Sequence, residues 1–289
     1  MTHGAWASWI GRERVLVDVI VPTRVAAWQA VFDHDSHVPS NGSPIPVGMH
    51  WTLCAPILRQ SALGVDGAPR DDGLMPPTPQ QRRMWAGCRT TFHRPLLVGD
   101  RVERRSRVMR IEEKPGRVGP LVCVTVQHQL SGSHGLAIDE EQEFVFAAPP
   151  ERTLHQSPPQ RGADEMPPPD WRRTVRPDPS LLFRYSTLSG NAHHIHYDRP
   201  YATAVEGYAG LVVQGPLLAS LMLDLLREHR ADAVVERFRV RVRRPTLDTA
   251  PFEVCGASTS DARHLRLWST NHLGERAADG EAWVRATYR

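Results

Sequence analysis

Several signatures are missing from this chain, and each absence removes a class of function. The four cysteines, at 54, 88, 123 and 255, lie far apart with no CxxC pair. That spacing argues against a disulfide scaffold and suits free, mostly buried thiols in a reducing compartment. No run of eighteen apolar residues occurs, so no transmembrane helix is expected. The opening MTHGAWASWIGRERV lacks the basic-then-apolar order of a signal peptide, which makes the cytoplasm the expected location. Charge of one sign is scarce too. The 35 basic and 32 acidic residues are well mixed and leave only +3, so no nucleic-acid or membrane partner is implied. GxGxxG and GxxxxGK[ST] are absent, which removes support for a nucleotide or dinucleotide enzyme; GxSxG and HExxH are absent as well.

What is present is an ordinary globular composition, with 40% apolar and 23% charged residues over 289 positions. That is enough for one large domain or two ordinary ones. The stretch 147–180 is dense in proline and lacks apolar periodicity, as an extended connector would. It divides the chain into 1–147, a linker at 148–180, and 181–289. The flanking parts look alike. RPLLVGDRVE at 94–103 and RPTLDTAPFE at 244–253 each open a turn followed by alternating segments, the last ending at 148 in one half and 288 in the other. Period-two alternation between turns predicts half-buried antiparallel strands. The segment 236–244 alternates Phe238, Val240 and Val242 with arginines, whose face is read as solvated surface rather than a phosphate site.

Helices are expected ahead of the strands. Residues 215–230 place Leu217, Leu218, Leu221, Met222 and Leu225 on one stripe, with Pro216 in the first turn and Asp224 off the stripe. Residues 22–34 form a second pattern with Thr23 as N-cap, and 49–61 a third, broken at Pro56. The architecture so far is α+β, helices against antiparallel sheet, occurring twice.

The densest chemistry is SGNAHHIHYDRP at 189–200. A metal site would need three or four ligands converging from one side, and no second cluster supplies them. No nucleophile elbow accompanies it. General acid–base catalysis needs less: a histidine that exchanges a proton near neutrality, a polar group to orient water, and a donor for a developing oxyanion. Asn191 can orient water but cannot take its proton. VVQGPLLA at 212–219 puts Gly215 at a helix start, where backbone N–H groups are free. A polar loop that caps the helix is the competing reading of the same residues.

The run FRYSTLSGNAHHIHYDRPYATAVEGYAGLVVQGPLLA at 183–219 resembles the MaoC-like (R)-specific hydratases and dehydratases. RRMWAG at 82–87, the 92–108 run and the 114–128 run resemble the first half of the same group. The nearest branch is similar to type-2 hydroxyacyl-thioester dehydratases and to mesaconyl-CoA and itaconyl-CoA hydratases. The resemblance implies a double hot-dog fold with a long central helix in each half. It implies an acyl-CoA or carrier-protein thioester as substrate, no metal or other cofactor, and a homodimer or larger assembly. It assigns catalysis to His196, with Asn191 where the wider group has aspartate, and the oxyanion donor to the Gly215 N–H. His193, Arg184, Arg199 and Trp85 are candidate substrate contacts, each with a structural alternative: loop, surface ion pairs and core. Asp198 is expected to cap a short helix and Tyr197 to pack. One site per chain is expected, completed by the first half. The implied reaction is hydration of a short unsaturated acyl-CoA, itaconyl-CoA or mesaconyl-CoA. The alternatives are dehydration of a carrier-protein thioester and acyl-CoA binding without turnover.

Overall fold

The computed structural model describes residues 6–35, 37–78, 82–116, 119–148, 168–271 and 273–286. Ten strands make one antiparallel sheet. The first half supplies β1 (Glu13–Val19), β2 (Arg82–Phe92), β3 (Arg101–Gly116), β4 (Gly119–Gly132) and β5 (Gly135–Ala147). The second supplies β6 (Trp171–Val175), β7 (Ala233–Val242), β8 (Phe252–Ser258), β9 (His264–Thr270) and β10 (Arg276–Ala286). Their order is β1-β3-β4-β5-β2-β7-β10-β9-β8-β6, which reads the same from either edge once each strand is matched to the one five places later. The repeat seen in the sequence is therefore a repeat of topology. Its turns match in detail: His93 and Arg94 N–H groups both reach the Ala137 carbonyl, and Arg243 and Arg244 both reach that of Ala277.

The seam is β2 against β7, from Gly87 opposite Arg241 to Thr91 opposite Arg237. Gly87 has φ of 149°, and a Cβ there would stand 2.1 Å from the Val240 carbonyl oxygen. Only glycine fits this close approach. A bulge in the β2–β5 register falls between Trp85 and Gly87 and re-aims the residues before the seam.

Three α-helices accompany the sheet: α1 (Pro22–Val31), α2 (Pro179–Ser189) and α3 (Gly215–His229). The start of α3 agrees with the sequence pattern, but its apolar stripe is wider than expected. Residues 217–226 are all buried, as befits a helix enclosed by a curved sheet. Asp224, expected off the stripe, is only 1% exposed. It stays charged because His34, Arg173 and Arg227 all bind its carboxylate, and the two guanidiniums hold its pKa down against burial. His34, Asp224 and Glu228 are close enough to suggest a metal site. Arg173 and Arg227 already fill the space between them.

Three expectations are corrected. Among the described residues the first half has no long central helix. The segment matching α3 forms only a 3₁₀ turn at Met49–Thr52. Of the expected helix at 49–61, Pro56 and a left-handed Cys54 interrupt the interior, and a left-handed Gly48 precedes its start. Second, most of the expected linker, 149–167, lies outside the described residues, but its end does not. Trp171–Val175 pairs with β8, and α2 starts at Pro179 with the Asp178 carboxylate accepting the Leu181 N–H. Third, α1 begins on Pro22 with Val21 at the cap position, so the proline and not Thr23 sets its start. All four cysteines are free, and three are buried. Among the described residues no helix is long and apolar enough to cross a membrane.

Candidate active site

The motif at 189–200 is shaped by short-range caps. Gly190 ends α2 in the left-handed conformation, and Asn191 turns the chain by accepting the His193 N–H on Oδ1 at 3.1 Å. His194–His196 then makes a single 3₁₀ turn. Asp198 caps the next turn as expected, accepting the Tyr201 N–H at 3.1 Å. Tyr197 does not pack as expected: it is 38% exposed, and its hydroxyl ties back to the Ala192 carbonyl.

His196 is buried, and its Nδ1 lies 2.7 Å from the Val212 carbonyl oxygen. A carbonyl can only accept, so Nδ1 carries the proton and Nε2 is left bare. Burial, partly offset by that hydrogen bond, pulls the His196 pKa to about 3. The ring is thus a neutral base at physiological pH. His193 stands edge-on to it with ring centroids 5.7 Å apart, and burial pulls its pKa to about 4. Its Nε2 is 4.0 Å from Asp66 of the first half. The same loop braces the motif: the Asp66 carbonyl accepts the His194 N–H, and Gly67 leaves no room for a Cβ beside the Ala192 carbonyl.

His196, His193, Asn191, Gly215 and Trp85 all line one cavity of about 1780 Å³ between the halves. It occupies the region where the first half lacks a central helix. Gly215 is the first residue of α3, so its N–H has no intrahelical acceptor. Trp85 lies against it: a Cβ on Gly215 would be 2.4 Å from Trp85 Cε3. Trp85 therefore both packs and lines the cavity. Arg184 and Arg199 are not brought to this cavity. Arg184 is exposed on α2, and Arg199 is spent on a two-pronged pair with Asp248. Arg237, Arg239, Arg241 and Arg243 are all exposed, as read; Arg239 pairs with Glu281 and Arg243 with Asp279, and of the four Arg241 and Arg243 reach the cavity.

Sequence reasoning expected the first half to complete the site but named only Trp85 from it. His50, Trp51, Arg104, His128 and Glu140 line the same cavity. Glu140 is 1% exposed and accepts from His50 Nε2 at 2.7 Å, Trp51 Nε1 at 3.0 Å, Thr90 Oγ1 at 3.1 Å, and Gln142. Burial raises its pKa, but His50 and the other donors more than reverse this and hold it at about 2.

A bare imidazole nitrogen, an amide and a helix-start N–H around one cavity have the makings of water addition beside a polarised carbonyl. The comparison of sequences agrees: residues 48–248 match the model of the hydroxyacyl-thioester dehydratase type 2 family. The chain belongs to this family. It is an enzyme, a hydro-lyase. Within and around the family, the chain is 42% identical to a mesaconyl-C(4)-CoA hydratase of Chloroflexus aurantiacus, over 90% of this chain and 92% of that one. In fold it is similar to a MaoC-like dehydratase, with a TM-score of 0.72, 15% identity, and coverage of 98% and 100% of the two chains. It is also similar to a Mycobacterium tuberculosis protein described as a double hotdog fold, with a TM-score of 0.58, 14% identity and 96% of each chain covered. The residues matched to the family model, 48–248, span parts of both halves.

Proposed function

We propose that the chain reversibly hydrates a short unsaturated acyl-CoA, with mesaconyl-C4-CoA the leading substrate and itaconyl-CoA the next. The observation that carries this reading is the His196 Nδ1 bond to Val212, which leaves Nε2 bare in a cavity shared with Asn191 and Gly215. The thioester carbonyl accepts a hydrogen bond from the Gly215 N–H at the positive end of α3. Asn191, its Oδ1 engaged by the His193 N–H, offers its amide N–H to the oxygen of a water. His196 Nε2 takes one proton from that water as the oxygen bonds to the β carbon. The electron pair of the double bond moves to the α carbon and carbonyl, giving an enolate held by Gly215. The imidazolium returns its proton to the α carbon. One water is consumed, and the base is regenerated. The 42% relative supports the choice of acyl group.

The test follows the enoyl-thioester absorbance with mesaconyl-C4-CoA, itaconyl-CoA and crotonyl-CoA. Turnover of a dicarboxylic substrate is expected, and His196→Ala should lower kcat by about 10²–10⁴-fold. Wild-type protein that binds these thioesters and converts none would overturn the reading.

A further inference from the structure

Among the apolar residues that line the cavity the first half places several charged ones, and their charges are unevenly matched. Arg14 pairs with Asp72, and Arg82 with Glu206. Arg83 lies over the Phe144 ring within the field of Asp72. Glu140 is engaged by four donors. Arg104 differs. Its guanidinium gives one hydrogen bond each to the Leu53 and Cys54 carbonyls, at 3.3 and 2.7 Å, and makes no carboxylate contact among the described residues. Its Nε is wholly buried and has no partner there. A guanidinium carries five donors, and carbonyl dipoles do not neutralise it. Arg104 lies in the fields of Glu140 and Asp18, but neither carboxylate bonds to it, so an anion that reaches the guanidinium gains a charged hydrogen bond.

His50 marks the same part of the cavity. It is 4% exposed, lines the cavity and donates from Nε2 to Glu140, which leaves its partnerless Nδ1 an acceptor. Both His50 and Arg104 act electrostatically on His128. A line of contacts leads to His50 from the oxyanion donor. Gly215 touches Trp85, whose ring is 6.4 Å from that of Trp51, which is 4.5 Å from that of His50. An acyl group anchored by its thioester at Gly215 and extending into the first half runs along these two indoles toward polar, unsatisfied atoms. A long alkyl chain would bury methyl groups against them at a cost in lost hydration.

We propose that Arg104 receives a carboxylate at the inner end of the acyl group and so selects dicarboxylic over methyl-ended thioesters. The direction of the acyl group rests on the hydratase reading above; the receptor itself is testable without turnover. Saturated thioesters are titrated calorimetrically into the full chain: succinyl-CoA against butyryl-CoA, and glutaryl-CoA against pentanoyl-CoA. Wild type should bind the dicarboxylic member of at least one pair about tenfold or more tightly, the worth of a charged hydrogen bond. Arg104→Met keeps length and apolar contact and removes the charge. It should bring that ratio to about one and leave the methyl-ended affinity within about threefold. If Arg104→Met fails to fold, Arg104→Gln takes its place, since it keeps a donor for the 53 and 54 carbonyls. Equal binding within both pairs by wild type, or a preference that survives loss of the charge, overturns the proposal. Wild type that discriminates the pairs but hydrates no enoyl-CoA keeps this receptor and removes the reaction. Wild type that hydrates crotonyl-CoA without discriminating does the reverse.

Discussion

Gly215→Ala tests the oxyanion donor at the point where packing and chemistry meet. The added Cβ would stand 2.4 Å from Trp85 Cε3 and 3.2 Å from Cζ3. Carbon atoms settle about 3.5–4.0 Å apart, so something must move by about 1 Å. The indole has little freedom, because the β2 bulge and the Gly87 seam fix its backbone and Trp51 stands on its other side. The first turn of α3 shares the displacement, and the Gly215 N–H goes with it. An oxyanion donor works within about 2.7–3.1 Å of its target, and a misplacement of about 1 Å costs about 10²-fold in rate. We therefore expect kcat to fall about 10²-fold with KM changed much less, because the bond matters most in the transition state. Overpacking should also cost about 1–3 kcal/mol of stability. The assay is steady-state hydration kinetics alongside a urea melt. Trp85→Leu added to Gly215→Ala removes the obstruction and should recover at least about tenfold in kcat. A Gly215→Ala enzyme with kcat within about threefold of wild type, or a double variant no better than the single, would refute the assignment.

Acid should destabilise the fold well before it titrates the site. Burial holds His128 and His196 at about 3 when folded, against an ordinary 6.5. The unfolded chain therefore takes up protons that the folded chain refuses. This stability is whole above pH 6.5 and falls as pH drops through the window toward 3. At pH 5 the loss is about 2 kcal/mol per histidine, set by the unfolded pKa alone; a Tm unchanged from pH 8 to pH 5 would contradict it. Arg199→Ala should leave KM within about twofold, since its guanidinium serves Asp248 and not the cavity; a tenfold rise would restore it as a substrate contact. Gly87→Ala puts a Cβ 2.1 Å from the Val240 oxygen. It should lower Tm by more than about 10 °C or abolish soluble expression, and a wild-type melt would show that the seam tolerates a side chain.

Much of the frame was legible because strand alternation and turn chemistry are local. The Arg94-Pro95 and Arg244-Pro245 turns announced the repeat, and the α3 pattern located the one long central helix. What failed was partly local and partly tertiary. MHWTLCAPILRQS has helical apolar spacing, yet Pro56 and the left-handed Gly48 and Cys54 leave it as short 3₁₀ turns at Met49–Thr52 and Gln60–Ala62. Strand β6 hid in a proline-rich run because an edge strand needs few apolar residues; only Val175 of its five is buried. The histidine motif was readable because its residues are adjacent in sequence. The inner wall was not, since His50, Arg104 and Glu140 come from separate elements. Two of them left a trace all the same. Arg104 alternates with Val102, Ser106 and Val108, and Glu140 with Ile138 and Phe144, so both charges fall on inward-facing positions of their strands. Arg184 and Arg199 were candidates because a guanidinium binds carboxylate or phosphate, a chemistry that says nothing about which cavity a side chain reaches.

The missing central helix of the first half bears on how such an enzyme changes its preferences. In a dimer of identical hot-dog chains, every substitution appears twice, once in each copy. Dismantling the central helix to enlarge the acyl chamber would also remove the helix start that polarises the thioester. Joining the copies in one chain, through a sheet seam closed by Gly87, lifts that constraint. One copy retains the helix and the residues proposed to move the proton, and the other is free to exchange its helix for a lined recess. Selectivity for the acyl group can then drift on one side of the seam while the reaction stays fixed on the other.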